Sequence, residues 1–185
     1  AANPLVRLGM EVVVTDMRKG EELRAQVEKL SPEVRLSLGG HNEDVLEGAA
    51  LIVISPGVPL NIGPLKKARE RGIKVIGELE LAYRMLRSLP IYAVTGTNGK
   101  STTTTLLDLM MKKAGKRSLL GGNIGNALTL EALKYLPDPA SWIDCVVAEV
   151  SSFQLEAIEE FRPKGAVILN ITPDHLDRYG SFDEY

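Results

Sequence analysis

The feature that most constrains this chain is the sequence IYAVTGTNGKSTTTT at residues 91–105. Its first four residues are apolar and rich in β-formers, which predicts a buried strand. Gly96 and Gly99 break that run, and a helix with a wide apolar side follows Lys100 and Ser101. The order of strand, glycine turn, Lys-Ser and helix therefore predicts a βα unit in an α/β fold.

This order of residues suits the binding of a phosphate chain. A helix N-terminus exposes unpaired N–H groups and positive dipole potential, and glycines let the backbone wrap an anion. Lys100 would place its ammonium on β/γ-phosphates, and the Ser101 hydroxyl would coordinate Mg²⁺. The strict pattern G-x-x-x-x-G-K-[ST] would require glycine at Val94, so the motif is a shorter variant, and an ordinary turn with a surface lysine is the alternative. The predicted ATP-binding residues are Gly96, Thr97, Asn98, Gly99, Lys100, Ser101 and Thr102.

Composition narrows the class of protein. The 185 residues, 44% hydrophobic and 25% charged, are typical of a soluble globular chain of one or two domains. A net charge of −2 gives no electrostatic reason to expect a nucleic acid or a membrane as partner. The single cysteine, Cys145, excludes an intrachain disulfide and a cysteine-based zinc site, and a buried inert thiol is expected. A cytoplasmic location fits these features.

Strand and helix patterns alternate along the first half of the chain. Strands are predicted at 11–15, 34–38, 50–55 and 74–76, and helices at 1–8, 21–30, 64–71 and 78–87. Alternation of this kind predicts βαβ units and a parallel sheet. We therefore expect a Rossmann-like domain at 1–89 and, after the linker 88–90, a P-loop NTPase-type α/β domain that begins at 90 and runs to 185.

Two strand ends in the first half are candidate ligand contacts. Asp16 ends the strand at 11–15, where an acid can hold a ribose or cap the next helix, and both readings stay open. The sequence SPGVP from Ser55, which includes Gly57, ends the strand at 50–55 and is either a ligand edge or a simple turn. His41 lies in a polar turn and is assigned no function.

Polar groups also follow three strands of the second half. Lys100 and Ser101 follow the first strand, Glu149 ends the strand at 145–149, and His175 comes after the strand at 165–169. Because parallel strands share one carboxyl edge, these groups are expected to converge. A hydroxyl, a carboxylate and an imidazole beside a triphosphate predict a Mg²⁺ site formed by Ser101, Glu149 and His175. A second glycine-rich loop, GGNIGN, contains Asn123.

Four segments, TGTNGKST, GGNIGN, AEVSSFQLE and LNITPDHLDRYG, resemble in order the central-domain motifs of the Mur ligase family of bacterial cell-wall synthesis. TGTNGK is also found in folylpolyglutamate synthases, whereas SSFQLE is similar to the members that add D-glutamate. The resemblance implies an ATP- and Mg²⁺-dependent amide ligase that joins D-glutamate to UDP-N-acetylmuramoyl-L-alanine through an acyl phosphate. It implies a cytoplasmic monomer without a nucleic-acid or membrane partner. Another Mur or folylpolyglutamate-type ligase, or a non-catalytic nucleotide-binding module, is the alternative.

The resemblance also implies roles for individual residues. Lys100 would neutralise the phosphates, Ser101 and Glu149 would hold one Mg²⁺, and Glu149 and His175 would hold a second. The family's first strand with its glycine loop, its carbamylated lysine and its C-terminal domain have no counterpart in the chain, which is expected to be an inactive piece of a longer protein. The implied substrate-binding residues are Asp16, Arg18, Ser55 and Gly57 for uridine, Asn123 for the pyrophosphate or sugar, and Ser151 and Gln154 for the muramoyl-alanyl part.

Overall fold

The computed structural model describes residues 1–185, except for the side chain of Glu47. The chain forms two units, Ala1–Ile76 and Gly77–Tyr185. Both units combine helices with strands. The neighbouring strands whose residue-to-residue pairing is defined run parallel to each other. The predicted α/β class is therefore confirmed.

The first unit contains four helices and four strands among the described residues. The strands form two two-stranded sheets, β1 with β2 and β3 with β4, where the sequence predicts one sheet. β1 and β2 are parallel, with Val13 opposite Arg35. In chain order the elements are α1 (Ala2–Arg7), β1 (Val13–Asp16), α2 (Arg24–Val27), β2 (Arg35–Leu38), α3 (Glu43–Glu47), β3 (Leu51–Ile54), α4 (Gly63–Glu70) and β4 (Lys74–Gly77).

In this unit one helix prediction is wrong, and one helix was not predicted. The helix expected at 21–30 is a 3-10 turn, Gly20–Leu23, followed by the single turn of α2. Only Leu23 is buried there, so little packing is available to extend the helix. Conversely, α3 stands where a polar turn was expected. The side chain of Asn42 accepts a hydrogen bond from the Asp44 N–H over 3.1 Å and caps it.

The second unit is built on a four-stranded parallel sheet with the order β6-β7-β5-β8. β7 lies between two strands and is buried along its whole length. The core comprises mainly apolar residues of β5, β7, α5 and α7. The elements are α5 (Glu78–Leu86), β5 (Ile91–Thr95), α6 (Lys100–Lys113), β6 (Ser118–Gly122), α7 (Leu128–Leu133), β7 (Cys145–Glu149), α8 (Ser152–Leu155), β8 (Gly165–Ile168) and α9 (Leu176–Tyr179).

Helix α5 belongs to the second unit because its apolar side is part of that core. Leu79, Ala82 and Leu86 are all fully buried there. The chain divides between Ile76 and Gly77. The boundary predicted from the sequence lies later in the chain, at the linker 88–90. The roles assigned to the two domains stay a prediction.

Helix α6 packs against the sheet with a partly polar side. The apolar residues in its sequence predicted that an apolar side would be buried instead. Asp108 is buried and accepts a hydrogen bond from the Ser118 hydroxyl over 2.6 Å. Leu106, Leu109 and Met110 are each more than half exposed. Sequence periodicity therefore located the helix but not its packed side.

Two expectations from composition can be compared with the structure. Cys145 is a buried free thiol, as expected, and burial raises its pKa. None of the helices in the described part of the chain has both the length and the apolar character needed to cross a membrane.

Candidate functional site

The phosphate-binding loop predicted from the sequence is the turn between β5 and α6. Gly96 has φ 137° and Gly99 has φ 85°, values that favour glycine. A Cβ on Gly96 would lie 3.0 Å from the Asn170 carbonyl oxygen, so the turn is also sterically closed to larger residues. The Lys100 ammonium donates hydrogen bonds to the carbonyls of Gly96 (2.7 Å) and Thr97 (2.9 Å). The loop and its lysine thus form one compact unit.

The first turn of α6 completes this loop. Ser101 and Thr102 are exposed there, next to Lys100 at the start of a 14-residue helix. Asn98 is exposed as well. The N–H groups at a helix start have no partner within the helix, so the turn presents donors and a cation on one side.

Asn170 braces the phosphate loop, and the sequence analysis did not single it out. Its side-chain oxygen accepts from the Asn98 N–H (2.9 Å), and its Nδ2 donates to the Asn98 carbonyl (3.0 Å). Its own carbonyl accepts from the Thr97 N–H (3.0 Å). The signal available in the sequence was its place just after β8. The residue before it, Leu169, already donates to Thr95 of β5.

Glu149 ends β7 and is 2% exposed. Its Oε1 accepts from the Asn123 side chain over 2.8 Å, and its carbonyl accepts from the Asn123 N–H over 2.9 Å. None of the described residues supplies a hydrogen bond to its Oε2. A buried carboxyl oxygen without a partner is costly, and a bound cation would compensate for that cost. This oxygen without a hydrogen bond is therefore suited to be a ligand of Mg²⁺.

The other predicted metal ligands lie on the same edge of the sheet. β5, β7 and β8 are adjacent and parallel, so Ser101, Glu149 and the segment after β8 follow neighbouring carboxyl ends. The described residues contain no group of three or more His, Cys, Asp or Glu side chains placed to hold a metal. The hydroxyl of Ser101 and the carboxylate of Glu149 are oxygen ligands of the kind that suits Mg²⁺.

His175 lies at the N-terminus of α9 in the left-handed backbone region, with φ 51°. Its ring packs 4.7 Å from the Phe153 ring, and its Nε2 is 3.7 Å from a carboxyl oxygen of Asp174. The imidazole is close to half exposed. Its role as a metal ligand stays a prediction.

Ser151 and Gln154 form a reciprocal cap at the start of α8. The Gln154 side-chain oxygen accepts from the Ser151 N–H (3.0 Å), and the Ser151 hydroxyl accepts from the Gln154 N–H (3.3 Å). Gln154 is 4% exposed. These side chains therefore have a local structural role, and their contact with a substrate stays a prediction.

An ion cluster that the sequence analysis missed connects α8 to α9. Arg178 donates to both carboxyl oxygens of Glu156, at 3.0 and 2.6 Å, and the Tyr179 hydroxyl donates to Glu156 over 2.8 Å. The Arg178 guanidinium also lies 4.9 Å from the centre of the Phe153 ring. The hydrogen bonds from Arg178 hold the pKa of Glu156 below its usual range, although burial opposes this.

In the first unit, Asp16 and Arg18 form a salt bridge with each other at the end of β1. Asp16 accepts from the Arg18 N–H (2.9 Å) and from its guanidinium (3.1 and 2.9 Å), which lowers the pKa of Asp16 to about 2. Asp16 is thus not the cap of the following helix, whose N-cap is Lys19.

The other two first-unit candidates follow β3, whereas His41, to which no function was assigned, follows β2. Ser55 and Gly57, both exposed, follow β3, and Gly57 has φ 89°. His41 is half-buried, and its Nδ1 lies 3.0 Å from the Thr15 hydroxyl. The uridine pocket stays a prediction.

The fold and the loop define an α/β protein of the P-loop type. Two family models match it: the Mur ligase MurD-like N-terminal domain at residues 1–77 and the Mur ligase middle domain at residues 94–185. The chain belongs to the Mur ligase family.

Curated relatives agree with this assignment. UDP-N-acetylmuramoylalanine--D-glutamate ligase from Pelotomaculum thermopropionicum is 52% identical over 98% of the chain, and the enzyme of the same name from Caldanaerobacter subterraneus is 47% identical over 98%. The chain spans 39% of the length of each.

Solved structures support the fold. UDP-N-acetylmuramate:L-alanyl-gamma-D-glutamyl-meso-diaminopimelate ligase from Neisseria meningitides matches 98% of the chain and 59% of its own, with a TM-score of 0.60 at 21% identity. UDP-N-acetylmuramate-alanine ligase MurC from Thermotoga maritima matches 99% of the chain and 41% of its own, with a TM-score of 0.53 at 21% identity.

Proposed function

We propose that the whole protein containing this chain is an ATP-dependent ligase that joins D-glutamate to UDP-N-acetylmuramoyl-L-alanine in peptidoglycan precursor synthesis. The name and identity of the curated relatives support the substrates. The observation that carries the proposal is the buried Glu149 carboxyl, with one oxygen unpaired, on the same sheet edge as the Lys100 loop. A module that only bound nucleotide would have no need of that costly oxygen.

The reaction joins a carboxylate to an amine. In the first step, the alanyl carboxylate oxygen attacks the γ-phosphorus of ATP, and ADP leaves. In the second step, the amine of D-glutamate attacks the acyl carbon, loses a proton, and phosphate leaves with the electrons of the C–O bond. The free carboxylate is a poor acyl donor, whereas the acyl phosphate, a mixed anhydride, has phosphate as a good leaving group.

The chain's own residues supply charge and position to the first step. Lys100 and the N–H groups at the start of α6 hold the β/γ-phosphates and offset their charge. Asn170 keeps the loop open to the phosphates by holding the backbone of Asn98. Ser101 and Glu149 would hold Mg²⁺, which would neutralise negative charge on the phosphates.

Phosphate release from ATP tests the proposal. The whole protein is assayed with UDP-N-acetylmuramoyl-L-alanine, Mg²⁺ and bicarbonate, and with each candidate amino acid in turn. We expect release only with D-glutamate. Release with another amino acid would keep the family and reject the substrate, and release with none would favour a non-catalytic nucleotide-binding module.

Two lysines at opposite ends of α6 provide a variant and its control for this test. Replacing Lys100 with Met should abolish release and weaken ATP binding at least about tenfold, because the phosphates lose their cation. Lys113→Met, at the exposed end of the same helix, is the matched control. Equal ATP affinity for both variants would contradict the role of Lys100.

A further inference from the structure

Helix α5 carries a fully buried carboxylate whose role neither the motifs nor the proposed reaction explains. Glu80 is 0% exposed, and one of its oxygens accepts hydrogen bonds from three successive backbone N–H groups. The donors are Glu159, Glu160 and Phe161, at 3.0, 3.0 and 2.9 Å. The other oxygen accepts from Arg84 over 2.9 Å. Both oxygens of this buried charge thus accept hydrogen bonds from the protein itself.

The turn at 159–161, whose N–H groups donate to Glu80, ends a segment that begins at the end of β7. Val150 donates to the Val94 carbonyl of β5 and fixes the start of the segment. The N–H groups on Glu80 fix its other end, some ten residues later. Between these two anchors lies α8 with Ser151 and Gln154, the residues assigned to the muramoyl-alanyl group.

Glu149 does not depend on this anchor. It lies within β7, in register with Val94 of β5 on one side and Gly122 of β6 on the other. The phosphate loop is braced separately, by Asn170 after β8. A change at Glu80 should therefore move α8 and leave the ATP site in place.

The ionisation of Glu80 agrees with an anchoring role. Burial by itself would raise its pKa, but the N–H donors and Arg84 outweigh burial, and the pKa of Glu80 lies below its usual range. A neighbouring acid, Glu78, similarly holds the N–H of Thr129 at the start of α7 over 2.8 Å, after the loop that contains Asn123. Helix α5 thus supports both loops that flank Glu149.

We propose that Glu80 is a positioning residue that sets the location of α8 for the substrate that accepts D-glutamate. The inference rests on the proposed function. It predicts a selective effect: displacement of α8 should raise the KM for UDP-N-acetylmuramoyl-L-alanine and leave the KM for ATP unchanged. A residue that only stabilised the fold would change neither constant in the folded enzyme.

The test is the kinetics of Glu80→Gln in the whole protein. The amide cannot match the charge-assisted bonds, and Arg84 loses one carboxylate partner while it keeps Glu159 at 2.8 Å. We expect the KM for the UDP substrate to rise about tenfold, and the KM for ATP to change less than twofold, because small misplacements of binding groups have effects of this size. Equal change in both constants, or change in neither, would overturn the inference.

Asp144→Asn is the matched control. Asp144 also holds a backbone N–H and an arginine, those of Arg117, but at the amino end of the same sheet, away from Glu149. It should lower the melting temperature and leave both constants unchanged. If Glu80→Gln does not fold, Arg84→Met decides: a rise of about threefold in the KM for the UDP substrate alone supports the inference, and any other result rejects it. A wild-type enzyme that releases no phosphate would reject the proposed function itself.

Discussion

Asn123 and Glu149 hold each other twice, through side chains at 2.8 Å and through backbone groups at 2.9 Å, and leave one carboxyl oxygen of Glu149 free of hydrogen bonds from the described residues. They are 26 residues apart in sequence. The pairing follows from the parallel register of β6 and β7, which sets Gly122 opposite Glu149. Asn123 therefore orients the carboxyl from the glycine-rich loop, and the predicted metal ligand depends on that loop.

Replacing Glu149 with Gln should separate activity from stability. We expect turnover to fall at least about 100-fold, because a charged oxygen ligand for Mg²⁺ is lost. The melting temperature without ligands should stay level or rise, because an unpaired buried carboxyl is removed while the Asn123 hydrogen bond is kept. A phosphate-release assay measures turnover, and calorimetry without ligands measures the melting temperature. A large drop in melting temperature would show that the carboxyl is structural.

Asn170→Ala should weaken ATP binding through the loop backbone. The variant loses both hydrogen bonds to Asn98, so the KM for ATP should rise about tenfold. Asn3→Ala is the control, since Asn3 pairs in the same manner with the Lys29 carbonyl (2.8 Å) and the Ser31 N–H (2.9 Å) in the first unit. It should cost similar stability and leave the KM for ATP unchanged. A similar KM for the two variants would contradict the bracing role.

Gly122→Ala should be severely destabilising. Gly122 has φ 107°, and a Cβ there would lie 2.2 Å from the Glu149 carbonyl oxygen. We expect a loss of more than about 3 kcal/mol in the free energy of unfolding, measured with urea. Gly115→Ala shares the positive φ, at 79°, but faces open space, and should cost about 1 kcal/mol. The steric account would be wrong if the two variants differed by less than about 1 kcal/mol.

The Glu156–Arg178 pair should contribute stability that depends on pH. The pKa of Glu156 is lowered in the fold, so its contribution is complete above the pKa of the unfolded state, about 4.3, and is lost as the pH falls through the folded-state value. The difference in melting temperature between wild type and Glu156→Gln should therefore be largest near pH 7 and should shrink below about pH 4.3. Glu28→Gln, in an exposed ion pair with Arg24, is the control and should show a small difference throughout. A constant difference for Glu156→Gln would contradict the assignment.

Much of the second unit could be predicted from the sequence because its signals are local. The apolar runs marked β5, β7 and β8, and the glycines marked the turn that ends at Lys100. In the first unit, local signals were weaker: the four-residue α2 buries none of its side chains, and α3 depends on the cap supplied by Asn42. The periodic pattern at 21–30 was thus overridden, because short helices need packing that was not available.

The α/β class, the phosphate-binding loop and the family could be recognised from the amino-acid sequence alone, because they depend on neighbouring residues and on motifs that are continuous in the chain. Which distant groups meet depends on the tertiary fold, which pairs Asn170 with Asn98, Asn123 with Glu149, and Glu80 with the turn at 159–161. The first two pairs are separated by 72 and 26 residues in the sequence, and Glu80 is 79 residues from the first residue of its turn. Such pairings follow from sheet register and helix packing, which no local pattern encodes.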